Sequence, residues 1–321
     1  AIQPSTGKIL AMASNPGYNP NDLMGDSAED VWANLQEQEG QPLVNHAGAE
    51  TLPPGSIFKI ITTAAGLRNG FTPESPLTGE ASTILPGTDN IPLTNYGGQA
   101  CAGGGQVPLR TAFALSCNTA FVDLATAKMQ DGGEAIKAMA NNFGINSTPD
   151  PIPLRVAQSV TGPLSDGAQT GQSAIGQLDV AMTPLQNAVI AATLANGGVR
   201  MQPYLVNRIT DAQMKDIRTT KPKKADQAVN EETAATLTDL MYASERSSAG
   251  YDGNGFASKT GTAEHGEGLA PHVWYVAFDP ERDIAVGVVV KNGGNLGESA
   301  TGGKVSGPIG RAILRAYQGE Q

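Results

Sequence analysis

Apolar positions follow a helical period through the middle of the chain and change to strand-like runs near its C-terminal end. Residues 56–70 carry apolar side chains on almost every helical face, which is typical of a helix buried in a core. The segment ends at the breaker pair Asn69-Gly70. Further helices are predicted over residues 27–38, 107–143, 183–195 and 230–244.

Strands are predicted at both ends of the chain. Two β-branched and aromatic runs at 272–278 and 284–290 flank a polar turn and indicate a hairpin, and 256–264 indicates a third strand. Alternation along the first of these runs predicts that Tyr275 lies at the surface. The opening residues 7–14 also read as a strand. We therefore expect an α+β fold whose antiparallel sheet is formed by both chain ends and flanked by helices, with a mostly helical part inserted between them.

Length and composition narrow the class of protein. The chain has 321 residues, enough for about two domains or subdomains and a sizeable core. Only 16% of residues are charged and 40% are hydrophobic, which excludes a disordered chain. The formal net charge of -10 argues against a nucleic-acid partner. No apolar run approaches about 18 residues, as a membrane span requires. Without an initial Met or a leader, the sequence reads as a piece of a longer protein.

Cysteine and histidine are scarce, with two cysteines and three histidines, and no spacing among them resembles a metal site. We therefore expect no protein-bound metal. Cys101 and Cys117 are 16 residues apart. That separation permits a disulfide in an oxidising compartment without requiring one, so the pairing stays open.

The string Ser56-Ile57-Phe58-Lys59 opens the buried helix. Positions i and i+3 share a helix face, so Lys59 is expected to reach the Ser56 hydroxyl. A serine nucleophile needs a base beside it, and burial lowers the pKa of a lysine toward that task. A capping serine with a solvated lysine explains the same string without any chemistry.

A second string, Ser116-Cys117-Asn118, falls within a helical stretch. It offers a hydroxyl that can relay a proton and an amide that can hold a substrate peptide. Taken alone it is equally well explained as a polar break between two helices.

A third string, Lys259-Thr260-Gly261-Thr262, lies in a predicted strand. Gly261 permits close approach of another backbone. Alternation places Thr260 and Thr262 on one face and Lys259 on the other. The structural alternative is an edge strand that a lysine protects from pairing.

Together the three strings match the S-x-x-K, S-D-N and K-T-G signature of β-lactamases and penicillin-binding proteins, with Cys117 at the middle of the second motif. More of the chain resembles class B penicillin-binding protein transpeptidase domains, and the resemblance extends over essentially the whole sequence. The strings that carry it are TGKILAMASNPGYNPN, LPPGSIFKI, LSCNTAF, MTPLQNA and SKTGTAE.

The resemblance implies a serine β-lactamase/transpeptidase-like fold for residues 1–321. The sheet part would comprise 1–70 and 245–321, and the mostly helical part 71–244. It also implies that the family's N-terminal membrane anchor and non-catalytic domain are absent from this chain. The anchored protein would act on the extracytoplasmic face of the bacterial membrane, in peptidoglycan synthesis for cell division or cell shape.

The resemblance further implies acyl transfer without a cofactor. Ser56 would attack the carbonyl between the two terminal D-alanines of a peptidoglycan stem peptide, or a β-lactam ring. Lys59 would accept its proton. Ser116, with Lys259 nearby, would pass a proton to the leaving D-alanine, and Asn118 would hold the substrate amide.

The K-T-G strand would bind substrate through Thr260, Gly261 and Thr262, and the N–H groups of Ser56 and Thr262 would form an oxyanion hole. Partners implied by the resemblance are stem peptides, β-lactams and proteins of cell division or elongation, with no nucleic acid.

Alternatives remain a penicillin-sensing receptor domain and a hydrolase, either a D,D-carboxypeptidase or a β-lactamase. A β-lactamase needs a group that activates the deacylating water, and no E-x-x-L-N-type string occurs at a matching position. The opening strand and loop favour the transpeptidase. The three intact motifs argue against a non-catalytic scaffold.

Overall fold

The middle of the chain, 71–244, alternates helices with eight short strands and long loops, so it is less helical than predicted. A computed structural model describes residues 1–266 and 268–317. Its α-helices are α1 (Ala28–Glu37), α2 (His46–Ala49), α3 (Lys59–Arg68), α4 (Leu109–Leu115), α5 (Asn118–Asp123), α6 (Gly132–Asn142), α7 (Gly167–Ser173), α8 (Pro184–Ala195), α9 (Glu231–Ser247) and α10 (Ser306–Ala316). Shorter 3₁₀ turns include Gly55–Phe58 and Lys291–Ser299, and a π-helical turn spans Leu124–Lys128.

The strands are mostly short, and the three long ones lie near the C-terminal end. They are β1 (Pro76–Thr78), β2 (Ser82–Ile84), β3 (Pro92–Thr94), β4 (Gln106–Pro108), β5 (Val199–Met201), β6 (Arg208–Thr210), β7 (Asp216–Thr219), β8 (Lys224–Gln227), β9 (Ala257–Ala263), β10 (His272–Asp279) and β11 (Ile284–Val290). The predicted hairpin and third strand are therefore confirmed.

The sheet that carries the site has the antiparallel order β11-β10-β9. The start of the chain joins its outer edge through Ile2, whose N–H and C=O both bond Ala285 at 2.9 Å. Both chain ends thus contribute to the sheet, but residues 7–14 do not form the regular strand that was predicted. Lys8 and Ile9 make isolated bridges to Tyr204 and Ile2, because the chain turns back on itself at Gly7.

Strand β10 is buried along its whole length, because both α8 and α10 pack against it. The expectation that Tyr275 lies at the surface is wrong, because its side chain is 0% exposed. The ring is covered by α10 at Gly310, where an added Cβ would lie 2.3 Å from the ring carbon Cδ1. Close helix packing on this face buries a position that alternation alone assigns to solvent.

The helical part follows the predicted ranges, with one break that matters for the site. The stretch 107–143 divides at Ser116, which has a left-handed backbone with φ 61°. Cys117 is bonded to Cys101 with a Cα–Cα distance of 5.8 Å, which answers the question that their spacing left open.

None of the helices within 1–266 and 268–317 is long and apolar enough to cross a bilayer. The last residues of the expected sheet part, 318–321, lie outside the described residues.

Candidate active site

An open cleft of about 1170 Å³ separates β9 from the helical part of the chain. Five residues predicted to carry the chemistry line it: Ser56, Ser116, Asn118, Thr260 and Thr262. Lys59 and Lys259 are 0% exposed. The three motifs therefore meet in one place, with hydroxyl and amide groups at the cleft surface and two amines buried beside it.

Ser56 lies in the 3₁₀ turn that leads into α3. In such a turn residues three apart eclipse each other, so Ser56 and Lys59 share a face as predicted. Gly55 has φ +53°, and a Cβ there would lie 2.8 Å from the carbonyl oxygen of Thr262. A glycine is required before the serine because the turn approaches β9 so closely.

The Lys59 amine is held by the second motif and not by Ser56. Its Nζ donates to the Ser116 carbonyl oxygen at 2.7 Å, to Asn118 Oδ1 at 2.8 Å and to Ser116 Oγ at 3.3 Å. No hydrogen bond joins it to the Ser56 hydroxyl in the part of the chain that the structure describes. Catalytic hydrogen bonds are often formed only once substrate is bound, so this geometry leaves Lys59 available as a base.

Lys259 also bonds the Ser116 hydroxyl, which it reaches from strand β9. Its Nζ donates to Ser116 Oγ at 2.9 Å and to the Thr260 carbonyl at 3.1 Å. Burial lowers the pKa of Lys259 to about 7. Burial also lowers the pKa of Lys59 well below its usual range, and the charge of Lys259 lowers it further. Each amine lies over an aromatic ring, Phe121 at 5.3 Å from Lys59 and Phe113 at 5.7 Å from Lys259.

The break between α4 and α5 presents the second motif to the cleft. The left-handed Ser116 ends α4, and the disulfide anchors Cys117 to the 3₁₀ turn at Cys101. Asn118 then starts α5 and donates from Nδ2 to the Thr94 carbonyl at 3.0 Å, while its Oδ1 accepts from Lys59. These contacts fix both ends of the amide.

The K-T-G strand lies directly against the turn that carries Ser56. A Cβ at Gly261 would be 2.6 Å from the Pro54 carbonyl oxygen, so glycine permits the close approach that was predicted. Trp274, opposite Gly261 on β10, donates from Nε1 to the Pro53 carbonyl at 2.8 Å. The turn is thus packed closely against β9 at Gly261 and bonded to β10 through the Trp274 side chain.

Residues that support these motifs had no signal in the sequence. Asn95 is 7% exposed, and its Oδ1 accepts from the Thr119 backbone N–H at 3.1 Å. It lies in the loop-rich segment 71–105, where no periodic pattern marks one polar residue above another. The buried pair Glu245 and Arg311 lies behind β9, on α9 and α10. It also has no signal in the sequence, because the period of one helix does not show which distant charged residue will pair with it.

Comparison with known proteins agrees with this geometry. The family model described as "Penicillin binding protein transpeptidase domain" matches residues 1–315. The Peptidoglycan D,D-transpeptidase PbpA of Mycolicibacterium smegmatis is 49% identical over 98% of this chain and 66% of its own length. The Mycobacterium tuberculosis protein of the same name is 47% identical over 100% of this chain and 67% of its own length. This chain therefore spans about two thirds of these curated relatives.

Solved structures share the fold. The ceftriaxone acyl-enzyme complex of penicillin-binding protein A from M. tuberculosis superposes with a TM-score of 0.94 at 46% identity, covering 99% of this chain and 73% of that one. The D,D-transpeptidase domain of a peptidoglycan glycosyltransferase from Eggerthella lenta gives 0.83 at 26% identity, covering 98% and 76%. The resemblance read from the motifs is confirmed: this chain belongs to the penicillin-binding protein transpeptidase family.

Proposed function

We propose that this chain is a peptidoglycan D,D-transpeptidase that works through a Ser56 acyl-enzyme and that β-lactams acylate the same serine. The observation that carries the proposal is the convergence of two buried lysines on Ser116, beside the cleft that Ser56 lines. The curated relatives named above are peptidoglycan D,D-transpeptidases, and a solved relative is a β-lactam acyl-enzyme.

In the acylation step, Ser56 Oγ attacks the carbonyl carbon of the bond between the two terminal D-alanines. Lys59 accepts the hydroxyl proton. A neutral amine has two N–H donors and one lone pair, and the two short bonds of Lys59 go to oxygens that only accept, at Ser116 and Asn118. This arrangement leaves the lone pair to take the proton, and the lowered pKa of Lys59 favours the neutral amine.

Collapse of the tetrahedral intermediate breaks the peptide C–N bond and requires a proton on the leaving nitrogen. Ser116 supplies it, and its hydroxyl is replenished from the lysines that donate to it. D-alanine leaves as the amine. An amine of a second stem peptide then attacks the acyl-enzyme, the C–O bond to Ser56 breaks, and the proton returns to the serine oxygen. The product is a cross-link.

Substrate is held along β9. Thr260 and Thr262, which line the cleft, bind the terminal carboxylate of the stem peptide, and Asn118 holds its amide. Gly261 keeps the strand close to the turn at Pro54. The backbone N–H groups of Ser56 and Thr262 bind the oxyanion, and each such donor contributes about 10²–10³ to the rate.

Action outside the cytoplasm fits the substrate and also the disulfide, because disulfides persist in oxidising compartments. Anchoring through a segment outside this sequence, and partners in cell division or elongation, remain predictions from the family. The division into a sheet part and a helical part at residues 70 and 245 also remains a prediction.

Intact mass during incubation with a penicillin tests the proposal, with Ser56→Ala measured beside the unaltered chain. We expect one covalent adduct that persists for hours and is absent from the variant. A transient adduct with consumption of the drug would indicate a β-lactamase, and no adduct would contradict the proposal.

A D-alanyl thioester, offered with and without a D-amino acid acceptor, separates the remaining alternatives. Acceptor-dependent product supports transfer. Product from water alone indicates a D,D-carboxypeptidase, and acylation without turnover of the thioester indicates a penicillin sensor.

A further inference from the structure

Behind the K-T-G strand lies a buried polar cluster that no step above uses. Its centre is the carboxylate of Glu245 on α9, whose side chain is 1% exposed. Four side chains donate to that carboxylate: Arg311 Nε at 2.7 Å, Asn254 Nδ2 at 2.9 Å, Tyr275 OH at 3.0 Å and Ser258 Oγ. We call these five residues the Glu245 cluster.

The Glu245 cluster holds an ionised carboxylate in the interior. Burial raises the pKa of Glu245, but the hydrogen bonds from Arg311, Ser258 and Asn254 outweigh it, and the pKa is lowered overall. The Arg311 side chain, 2% exposed, is its charge partner. A buried charge that is paired and hydrogen-bonded in this way fixes the positions of all its partners, because losing one leaves an uncompensated group.

One of those partners is the residue directly before Lys259. Successive side chains of a strand point to opposite faces, so Ser258 bonds Glu245 on one face while Lys259 bonds Ser116 on the other. Strand β9 is at an edge of its sheet, with β10 as its strand neighbour. Backbone pairing holds β9 on one side only, so the side-chain ties on its two faces add to that pairing in setting where Ser258 and Lys259 lie.

The same cluster reaches the wall of the cleft. Arg311 also donates to the Ala249 carbonyl at 3.1 Å and to Ser248 Oγ at 3.2 Å. Ser248 and Ala249 line the cleft where the chain leaves α9, and they lie against Gly303. The ion pair between Glu245 and Arg311 joins α9 to α10, and the hydrogen bonds of its two members extend to β9 and to the cleft wall.

We propose that Glu245, acting through Ser258, is a positioning residue for Lys259. The hydrogen bond from Ser258 to Glu245 fixes the rotation of β9. It thereby sets the distance from Lys259 Nζ to Ser116 Oγ, and with it the transfer of protons during acylation. This inference rests on the proposed function.

The test compares Ser258→Ala with the unaltered chain. Glu245→Gln leaves Arg311 buried without its charge partner and is expected to disturb the fold, so it is not the informative variant. Ser258→Ala removes the tie to the strand and retains the ion pair. The matched control is Tyr275→Phe, which removes a different hydroxyl from the same carboxylate and leaves β9 tied to it.

Acylation by a fluorescent penicillin is followed at increasing drug concentration, which separates the limiting acylation rate constant from the half-saturating concentration. The final amount of adduct gives the fraction of correctly folded chain. For Ser258→Ala we expect the limiting rate constant to fall about 10-fold or more, since a misplacement of about 1 Å can cost 10²-fold. The half-saturating concentration and the adduct amount should not change, and Tyr275→Phe should keep the limiting rate constant within about twofold.

An unchanged limiting rate constant in Ser258→Ala overturns the inference. Equal losses in both variants also overturn it, because the effect would then come from the carboxylate and not from the tie to β9. A reduced amount of adduct at an unchanged rate constant shows a structural role alone and likewise overturns it. Absence of acylation in the unaltered chain overturns the proposed function together with this inference.

Discussion

The Nζ atom of Lys259 lies 2.9 Å from the hydroxyl oxygen of Ser116, to which it donates a hydrogen bond. Lys59 donates to the same oxygen at 3.3 Å. Both amines are buried, and two like charges this close disfavour each other. Their lowered pKa values therefore favour a state in which one of the two amines is neutral, which places a base and a cation side by side.

Replacing Lys259 with Met is expected to move the pH dependence of acylation. Removing its charge raises the pKa of Lys59, so the neutral amine that we propose as the acceptor of the Ser56 proton forms at higher pH. The rising limb of the acylation rate against pH should therefore shift to higher pH, with a lower plateau from the lost contact to Ser116. Stopped-flow acylation between pH 5 and 10 measures this. Lys304→Met, at an exposed position, is the control, and a limb that coincides with the unaltered chain contradicts the argument.

The same substitution predicts a pH effect on stability. The pKa of Lys259 is about 7 in the folded chain against 10.5 as its ordinary value. Between those pH values the unfolded chain holds a proton that the folded chain has lost, so stability rises with pH across this window. The free energy of unfolding of the unaltered chain, relative to Lys259→Met, should increase from about pH 7 to about pH 10 in urea titrations. If the difference in unfolding free energy between the two chains stays constant over this pH range, the lowered pKa of Lys259 is refuted.

Loss of the disulfide should weaken both the fold and the site. Changing Cys101 and Cys117 to Ser opens a loop with a sequence separation of 16, and closing a loop of this size contributes about 3 kcal/mol. Acylation should slow as well, because Cys117 lies between Ser116 and Asn118. Urea unfolding and the acylation rate measure the two effects. Reductant should reproduce them in the unaltered chain and do nothing to the double variant.

Gly261→Ala should separate β9 from the turn that carries Ser56. The added Cβ would lie 2.6 Å from the Pro54 carbonyl oxygen and 3.0 Å from Ile57 Cγ1. Overpacking of this kind costs about 1–3 kcal/mol, and the displacement should slow acylation by about 10–100-fold. Gly255→Ala is the matched control, because nothing lies within 4 Å of its Cβ. Equal rates in the two variants would show that the contact with Pro54 is unimportant.

Local strings in the sequence were enough to find the residues that meet in the cleft. One helical turn fixes Ser56 and Lys59 relative to each other. Gly261 has no side chain and therefore lets β9 lie close to the turn that carries Ser56. The hydrogen bonds of Lys59 were not foreseen, because the oxygens that hold its amine come from Ser116 and Asn118, more than fifty residues away in sequence. Tyr275 was misplaced for a related reason, since the periodicity of one strand does not show which helix will cover it.

The contacts that assemble the cleft join distant parts of the chain. Lys259 and Ser116 are 143 residues apart, and Trp274 and Pro53 are 221 apart. Synthesis proceeds from the N-terminus, so Ser56 emerges from the ribosome long before the strands that complete its surroundings. Until those strands dock, Ser56 is an ordinary alcohol with no reactivity toward a drug. Under the proposed function, reactivity toward β-lactams therefore begins only once β9 and β10 have docked, and a chain that lacks these strands neither reacts with the drug nor makes cross-links.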